Sequence, residues 1–237
     1  MKIDILAFGA HPDDVELSCG GTILKEIHNG KTVGIIDLTK GELGTRGTVQ
    51  TRATEASNAA SILGVSFRKN LSFSDGFIAN DKAHQLEVIK LIRHHQPEIV
   101  LCNAIDDRHI DHGVASKLVS DACFLSGLIK IETKSLDSEA VQAPWRPKSI
   151  YHYIQWKPLE PDFVVDISDH IDKKMESVMA YSTQFYNPNS QDPETPISSK
   201  NFVDSVRYRA ADLGRLIGVG YAEGFNVERL PAIDSLF

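Results

Sequence analysis

The sequence predicts an α/β fold in which a mostly parallel β-sheet is covered by helices on both faces. Short apolar segments alternate with segments of helical apolar spacing through the first half of the 237-residue chain, and this alternation is typical of parallel sheets. Clusters of histidine and aspartate follow two of the apolar segments, where open α/β sheets bind their ligands. No internal repeat, low-complexity tract or clear linker interrupts the chain, so we expect a single domain over residues 1–237.

In the first half, each predicted strand is followed by a predicted helix. In the second of these helices, Ala56, Ala60 and Leu63 recur at helical spacing, and Gly64 is placed to end it. Pro97 stops the third helix. The strands are Ile3–Phe8, Thr32–Leu38, Phe67–Phe73 and Ile99–Asn103, and the helices are one through Ile23–His28, Gln50–Leu63, Ala83–His95 and Asp111–Leu125.

The second half is less regular. Segments Ser149–Ile154 and Phe163–Val165 are predicted as strands, and Ile167–Tyr181 and Phe202–Ile217 as helices. Between these helices, the segment Ser182–Asn201 carries three prolines among polar residues, so we expect no regular structure there. Loops of this length often act as lids or interface arms.

Composition and charge limit the class of function. The formal net charge is −7 and the positive residues are scattered, which argues against a general affinity for nucleic acid. The amino terminus reads as a strand rather than a signal peptide, and no apolar run is long enough to span a bilayer. The cysteines Cys19, Cys102 and Cys123 are too far apart for a Cys-x-x-Cys motif and are expected to be reduced, which suits the cytoplasm.

Two polar clusters are the candidates for chemistry. His11-Pro12-Asp13-Asp14 follows the first strand, and the run from Asp106 to His112 follows the strand Ile99–Asn103. Because the carboxyl ends of parallel strands meet at one edge, we expect the clusters to converge, and two histidines with one aspartate would leave an open position for water, as in a catalytic zinc site. Either cluster alone could instead be a set of surface charges at a helix amino terminus.

The motif Phe8-Gly9-Ala10-His11-Pro12-Asp13-Asp14, together with His109-Ile110-Asp111-His112, resembles the LmbE and PIG-L family of zinc-dependent N-deacetylases. The resemblance implies a Rossmann-like three-layer sandwich. Several further segments are similar to the bacillithiol-biosynthesis branch, which removes the acetyl group from N-acetylglucosaminyl malate. These segments are Lys40 to Gly47, Asp75-Gly76-Phe77, Val165-Asp166-Ile167-Ser168, Ser182-Thr183-Gln184-Phe185-Tyr186 and Leu216 to Phe225.

Position by position, the resemblance implies that His11, Asp14 and His112 bind one zinc ion and that Asp13 is the general base. Zinc lowers the pKa of a bound water towards about 7, so a neighbouring carboxylate can complete its deprotonation. The implied products are acetate and a free glucosamine amine.

The resemblance leaves His109 to polarise the acetyl carbonyl or to stabilise the oxyanion, with Asp111 as its orienting partner. It also implies that Arg46 and Arg108 contact the substrate. Each guanidinium could pair in bidentate fashion with a carboxylate of malate.

Other functions remain open on sequence alone. The substrate could be another acetylated glucosamine conjugate, such as a chitobiose or a mycothiol precursor. A dinucleotide-binding oxidoreductase would fit the alternation of elements, but His11-Pro12-Asp13-Asp14 stands where glycines would cradle a pyrophosphate, and its carboxylates would repel that anion. A metal-stabilised binding protein without catalysis would not need Asp13.

The resemblance also implies a homo-oligomer, commonly a hexamer, acting on a small glucosamine conjugate. The segment Ser182–Asn201 could contribute to subunit contacts or close over the substrate. A site of two histidines and one aspartate accepts iron or cobalt as well as zinc.

Overall fold

A single β-sheet of seven strands forms the centre of the protein in its computed structural model, which describes residues 1–232 and 235. Residues 233, 234, 236 and 237 of the predicted domain lie outside the described residues. The strands are β1 (Ile5–Gly9), β2 (Val33–Thr39), β3 (Phe67–Phe73), β4 (Ile99–Cys102), β5 (Ser149–Tyr153), β6 (Phe163–Asp166) and β7 (Ala222–Val227). Their order across the sheet is β3-β2-β1-β4-β5-β7-β6.

Strands β1 to β5 pair in parallel, and β7 runs antiparallel to both of its neighbours. The helices are α1 (Asp14–His28), α2 (Val49–Leu63), α3 (Lys82–His95), α4 (Ile110–Ser126), α5 (Ile171–Met179) and α6 (Lys200–Ile217). Helices α3 and α4 share one core with the sheet, whereas α1 packs on the opposite face, where it also contacts α2 and α5. The predicted fold class, a mostly parallel sheet between two helical layers, is confirmed.

The alternation of side chains along β1 explains why it is apolar throughout. Leu6 and Phe8 belong to the core shared with α3 and α4, whereas Ile5 and Ala7 belong to the core shared with α1. Successive side chains of a strand point to opposite faces, so a strand covered on both sides buries all of them. Every residue of β1 is buried.

The strand order fixes where a ligand would bind. From β1 the chain proceeds to β2 and β3 on one side and then returns to β4 on the other side of β1. In open α/β sheets, ligands bind at such a switch point, outside the carboxyl ends of the strands. The residues that follow β1 and β4 are the two polar clusters.

The second half of the chain differs from its prediction in three respects. Strand β7 was not predicted, because Gly224 and two polar residues interrupt its apolar pattern. The predicted helix Ile167–Tyr181 is divided into a 3-10 turn at Ser168–His170 and α5. Residues 182–199 contain neither helix nor strand, as expected, but α6 begins at Lys200 with Ser199 as its cap. None of the helices that the structure describes is long and apolar enough to cross a membrane.

Glu223 on β7 joins the sheet to α1 through buried hydrogen bonds. One carboxylate oxygen accepts from Lys174 Nζ at 2.6 Å and from Gly21 N at 2.9 Å, and the other accepts from Thr22 N at 2.7 Å. The backbone of α1 leaves helical geometry at Cys19, just before these residues. Glu223 therefore stabilises α1 beyond its kink and neutralises the buried charge of Lys174.

We predict that Glu223→Ala destabilises the fold by about 3–5 kcal/mol, because it leaves the ammonium group of Lys174 buried without a counter-charge. The measurement is the urea concentration at the midpoint of unfolding. The matched control is Glu139→Ala, whose carboxylate is 87% exposed and whose removal should change stability by less than about 0.5 kcal/mol. Equal midpoints for the two variants would contradict the role of Glu223.

A candidate metal centre at the edge of the sheet

Two loops bring three histidines together at the carboxyl ends of β1 and β4. His11 follows β1, and His109 and His112 follow β4. The centroid of the His11 ring lies 4.4 Å from that of His109 and 5.5 Å from that of His112. The two clusters therefore form one site at the switch point of the sheet.

Asp14 lies between His11 and His112. Its two carboxylate oxygens are 3.3 Å from His112 Nε2 and 3.6 Å from His11 Nδ1. Ligands about 2.0–2.1 Å from a tetrahedral zinc ion lie about 3.3 Å apart, which matches the spacing between Asp14 and His112, whereas His11 lies farther away and beside the other oxygen of Asp14. The side-chain amides of Asn103 and Gln155 donate to the same oxygens at 3.0 and 2.7 Å and orient them.

Each of the two histidines beside Asp14 directs its other ring nitrogen to a further carboxylate. His11 Nε2 lies 2.9 Å from Asp75 and 3.3 Å from Asp111, and His112 Nδ1 lies 2.7 Å from Asp107. Histidines that bind metals usually donate their second N–H to a carboxylate in this way, which fixes the tautomer.

Among the described residues, two combinations of side chains have donor atoms that all lie within 4.8 Å of one another, and neither includes Asp14. One contains His11, His109 and His112, and the other contains His11, Asp75 and Asp111. His11 is common to both and to the predicted set. Any cation bound at this edge would therefore contact His11.

The electrostatics of the cluster match a divalent cation. Burial opposes charge on His11, but hydrogen bonds to carboxylates, Asp111 foremost, hold its pKa well above the ordinary value. Burial likewise opposes charge on His112, but Asp14 and Asp107 raise its pKa to about 9. These shifts favour a positive charge on both rings, and a divalent cation could replace the two protons without changing the net charge.

Asp13 is held in an unfavourable backbone conformation. Its φ of 117° lies in the left-handed region, which costs a non-glycine residue about 1–3 kcal/mol. It occupies the cap position of α1, yet its side chain makes no capping hydrogen bond. Instead, its Oδ2 accepts from Arg52 Nη2 at 3.2 Å, and the residue lines the pocket over the histidines. Burial raises the pKa of Asp13 to about 7, although the charge of Arg52 opposes this shift.

His109 is half-buried beside His11 and accepts a hydrogen bond at Nδ1 from the main-chain N–H of Asp111 at 3.2 Å. A neutral ring that accepts at Nδ1 carries its proton at Nε2. Burial and the neighbouring charges of His11 and His112 lower the pKa of His109, which favours this neutral form. Asp111 thus contacts His109 through its main chain, whereas its carboxylate accepts from Gly76 N at 2.7 Å and faces His11.

A pocket of about 500 Å³ opens over the cluster. The loop after β2 forms one wall, and the loop after β5, the segment before α6 and α6 itself form the other. The lining residues of these walls include Leu43, Gly44, Thr45, Trp156, Ile197, Phe202 and Arg209.

The two arginines predicted to contact substrate have different environments. Arg108 is exposed, lines the pocket, and stacks its guanidinium 4.6 Å from the centroid of the Trp156 ring. Arg46 is buried, donates to Ser190 and lies 3.7 Å from Asp192, and does not line the pocket. The loop of residues 182–199 contacts the guanidinium of Arg46 in this structure, and a substrate contact by Arg46 stays a prediction.

Several residues of the site had no role in the sequence prediction. Asp75 and Asp107 stood within the motif segments, so their position next to histidines could have been proposed from those segments. Asn103, Gln155 and Arg52 carry no local signal, because their contacts with the Asp13-Asp14 pair depend on how distant elements pack.

A larger cavity, of about 590 Å³, lies between α2 and β3. None of the described histidines lines it. Two of its charged residues, Asp37 and Arg68, are paired with each other at 2.7 Å. The arrangement of potential catalytic groups therefore favours the smaller pocket.

Comparisons with known proteins agree with this geometry. Residues 6–123 match the family model described as PIG-L, GlcNAc-PI de-N-acetylase. The chain is 30% identical over 234 residues to diacetylchitobiose deacetylase of Thermococcus kodakarensis, and the match covers 93% of this chain and 81% of that protein.

Solved structures share the fold along nearly the whole chain. The conserved protein TT1542 from Thermus thermophilus matches with a TM-score of 0.85 and 35% identity, over 99% of this chain and 98% of that one. The N,N'-diacetylchitobiose deacetylase from Pyrococcus horikoshii matches with a TM-score of 0.78 and 23% identity, over 94% and 83%, and supports the fold alone. With its histidines and aspartates gathered at the sheet edge, the chain belongs to the PIG-L family of de-N-acetylases.

Proposed function

We propose that the protein is a zinc-dependent deacetylase that removes the N-acetyl group from N-acetylglucosaminyl malate in bacillithiol biosynthesis. The observation that carries this proposal is the convergence of His11, Asp14 and His112 with Asp13 and His109 in one pocket. Membership of the PIG-L family supports hydrolysis of an N-acetyl amide, and the malate conjugate rests on the segments similar to the bacillithiol branch. A cytoplasmic homo-oligomer, such as a hexamer, is part of the same proposal.

In this proposal His11, Asp14 and His112 hold the metal. Their nitrogen and carboxylate donors suit zinc, and iron or cobalt would be accepted by the same set. When bound, such an ion acts as a Lewis acid that makes water nucleophilic at neutral pH.

Asp13 is the proposed general base. Arg52 holds its Oδ2 at 3.2 Å, so Oδ1 is the oxygen available to accept the proton of the attacking water. Asp13 has a left-handed backbone conformation. Its carboxylate lies in the pocket and makes no capping hydrogen bond to the main chain of α1.

His109 is the proposed donor to the acetyl carbonyl. Its Nε2–H would form a hydrogen bond to the carbonyl oxygen, and this bond strengthens as negative charge develops there. The hydrogen bond from Asp111 N to Nδ1 holds the ring in the required tautomer.

Arg108 is the proposed contact for a malate carboxylate. It lies in the pocket and stacks on Trp156, and its guanidinium has the fork geometry that binds carboxylates in bidentate fashion. Arg46 is the second proposed substrate contact, and it also holds the loop that carries Ser190 and Asp192.

A second candidate substrate is diacetylchitobiose, which is favoured by the name of the relative from Thermococcus kodakarensis. The same catalytic residues would serve either substrate. A neutral disaccharide would leave the charge of Arg108 without a carboxylate partner, and for this reason we place the malate conjugate first.

We predict that Asp13→Asn lowers kcat by about 10²- to 10⁴-fold while zinc content stays unchanged, because the amide cannot accept the proton. Release of free amine is the measured quantity, with bound zinc determined on the same sample. Asp106→Asn is the matched control, since this exposed aspartate of the second loop pairs with Lys157 instead. Full activity of the zinc-loaded Asp13 variant would show that another group is the base.

Metal content tests the proposed ligands without an activity assay. We expect about one zinc ion per chain in the wild type and strong loss of zinc from His112→Ala and from Asp14→Asn after dialysis against a weak chelator. His28→Ala, at the exposed end of α1, should keep the metal. Retention of zinc by both site variants would contradict the assignment.

The substrate is tested by comparing rates of amine release from N-acetylglucosaminyl malate, diacetylchitobiose and plain N-acetylglucosamine. We expect the highest kcat/KM for the malate conjugate, because a charge-assisted hydrogen bond contributes about 1.5–3 kcal/mol of binding. A higher value for diacetylchitobiose would favour the second candidate. Equal values for all three sugars would remove the claim of malate specificity.

A further inference from the structure

Arg209, on α6, is a half-buried positive charge without a partner. Among the residues that the structure describes, none forms a hydrogen bond or an ion pair with its guanidinium, and its Nε is buried from solvent. Burial lowers the pKa of Arg209, and the negative charge of Asp107 opposes this shift. The carboxylate of Asp107 already accepts hydrogen bonds from His112 and from Lys157 N.

Two other arginines with buried guanidinium groups differ from Arg209 in this respect. Arg68 pairs with Asp37 through two hydrogen bonds of 2.7 and 2.8 Å. Arg93 donates to four oxygen acceptors. A guanidinium whose Nε is buried without such acceptors is unfavourable, so an unpartnered one is expected where an anionic group of a ligand arrives.

Arg209 stands where two cavities meet. One is the catalytic pocket of about 500 Å³, and the other is a third cavity, of about 400 Å³. Both are lined by Leu17, Gln155 and Arg209. Gln155 donates to Asp14 at 2.7 Å, and its Oε1 is buried without a hydrogen-bond partner. A group bound by Arg209 would therefore lie next to the residue that orients the proposed metal ligand.

Arg108, on the loop after β4, lies against the wall that carries Arg209. The ring of Trp156 lies beneath the guanidinium of Arg108 and stacks on Phe202 with 5.3 Å between centroids. Phe202 and Arg209 are seven residues apart on α6, which places them on one face, and both line the catalytic pocket. Two guanidinium groups without carboxylate partners thus lie at one wall of the pocket, together with an aromatic pair.

We propose that Arg209 binds a carboxylate of the substrate's aglycone and, together with Arg108, selects anionic N-acetylglucosaminides over neutral ones. This inference rests on the proposed deacetylase function. Arg209 would be a specificity-determining residue, because it provides two parallel N–H donors to the carboxylate and takes no part in the proton transfers.

The test compares Arg209→Gln, Arg209→Lys and the control Arg207→Gln. Arg207 lies two residues away on α6 and pairs with Asp172 instead. For Arg209→Gln we expect KM for N-acetylglucosaminyl malate to rise about 10- to 100-fold, with kcat, zinc content and KM for methyl N-acetylglucosaminide unchanged. Arg209→Lys should be intermediate, because lysine retains the charge but not the bidentate geometry. Arg207→Gln should behave as the wild type.

Three outcomes would overturn the inference. An equal rise of KM for the charged and the neutral sugar would assign Arg209 to general shaping of the pocket. Loss of zinc in Arg209→Gln would assign it to support of Asp107 and the metal ligands. Weaker product inhibition by acetate, with KM for the malate conjugate unchanged, would show that Arg209 holds the leaving acetate instead.

A binding measurement separates this inference from the proposed reaction. Calorimetry with glucosaminyl malate and with methyl glucosaminide requires no turnover. If the wild type deacetylates neither N-acetylglucosaminyl malate nor methyl N-acetylglucosaminide, the proposed function fails, yet a 10- to 100-fold weaker binding of glucosaminyl malate alone by Arg209→Gln would still support the carboxylate site. Equal binding by wild type and variant would overturn it.

Discussion

The buried carboxylate of Asp14 links the loops that follow β1, β4 and β5. It accepts hydrogen bonds from the main chain of His11 at 2.9 Å, from Asn103 at 3.0 Å and from Gln155 at 2.7 Å, and it lies 3.3 Å from His112. Burial would raise the pKa of Asp14, but the neighbouring histidines hold it well below the ordinary value. The negative charge is therefore fixed at the point where the three strands end, and the remaining groups of the site are arranged around it.

This arrangement gives each neighbour of Asp14 a distinct environment. His11 and His112 face carboxylates on both ring nitrogens, which suits positively charged rings or rings bound to a cation. His109 accepts a main-chain N–H and its pKa is lowered by burial, which favours a neutral ring that can donate a hydrogen bond. Asp13 interacts with Arg52 outside the histidine cluster. In the proposed mechanism, metal binding, donation to the carbonyl and proton transfer fall to different side chains of one pocket.

Much of this could be predicted from the sequence, because the relevant signals are local. The apolar segments along β1 and β4 indicated buried parallel strands, and the clusters that follow them had to meet at one edge. The contacts that could not be predicted depend on packing between distant elements. Arg52 reaches Asp13 because α2 packs beside α1, and Arg46, six residues earlier, is held by the loop of residues 182–199. Strand β7 was not predicted because Glu223 interrupts its apolar pattern. Glu223 is the buried ion-pair partner of Lys174, and that contact depends on how distant elements pack.

The central claim is that Asp14, rather than Asp75 or Asp111, shares a metal ion with His11. Crystals grown with zinc and measured on both sides of the zinc absorption edge would test it most directly. We expect an anomalous peak about 2.0–2.2 Å from donor atoms of His11, Asp14 and His112. A peak bound by His11, Asp75 and Asp111, or no peak near His11, would contradict it.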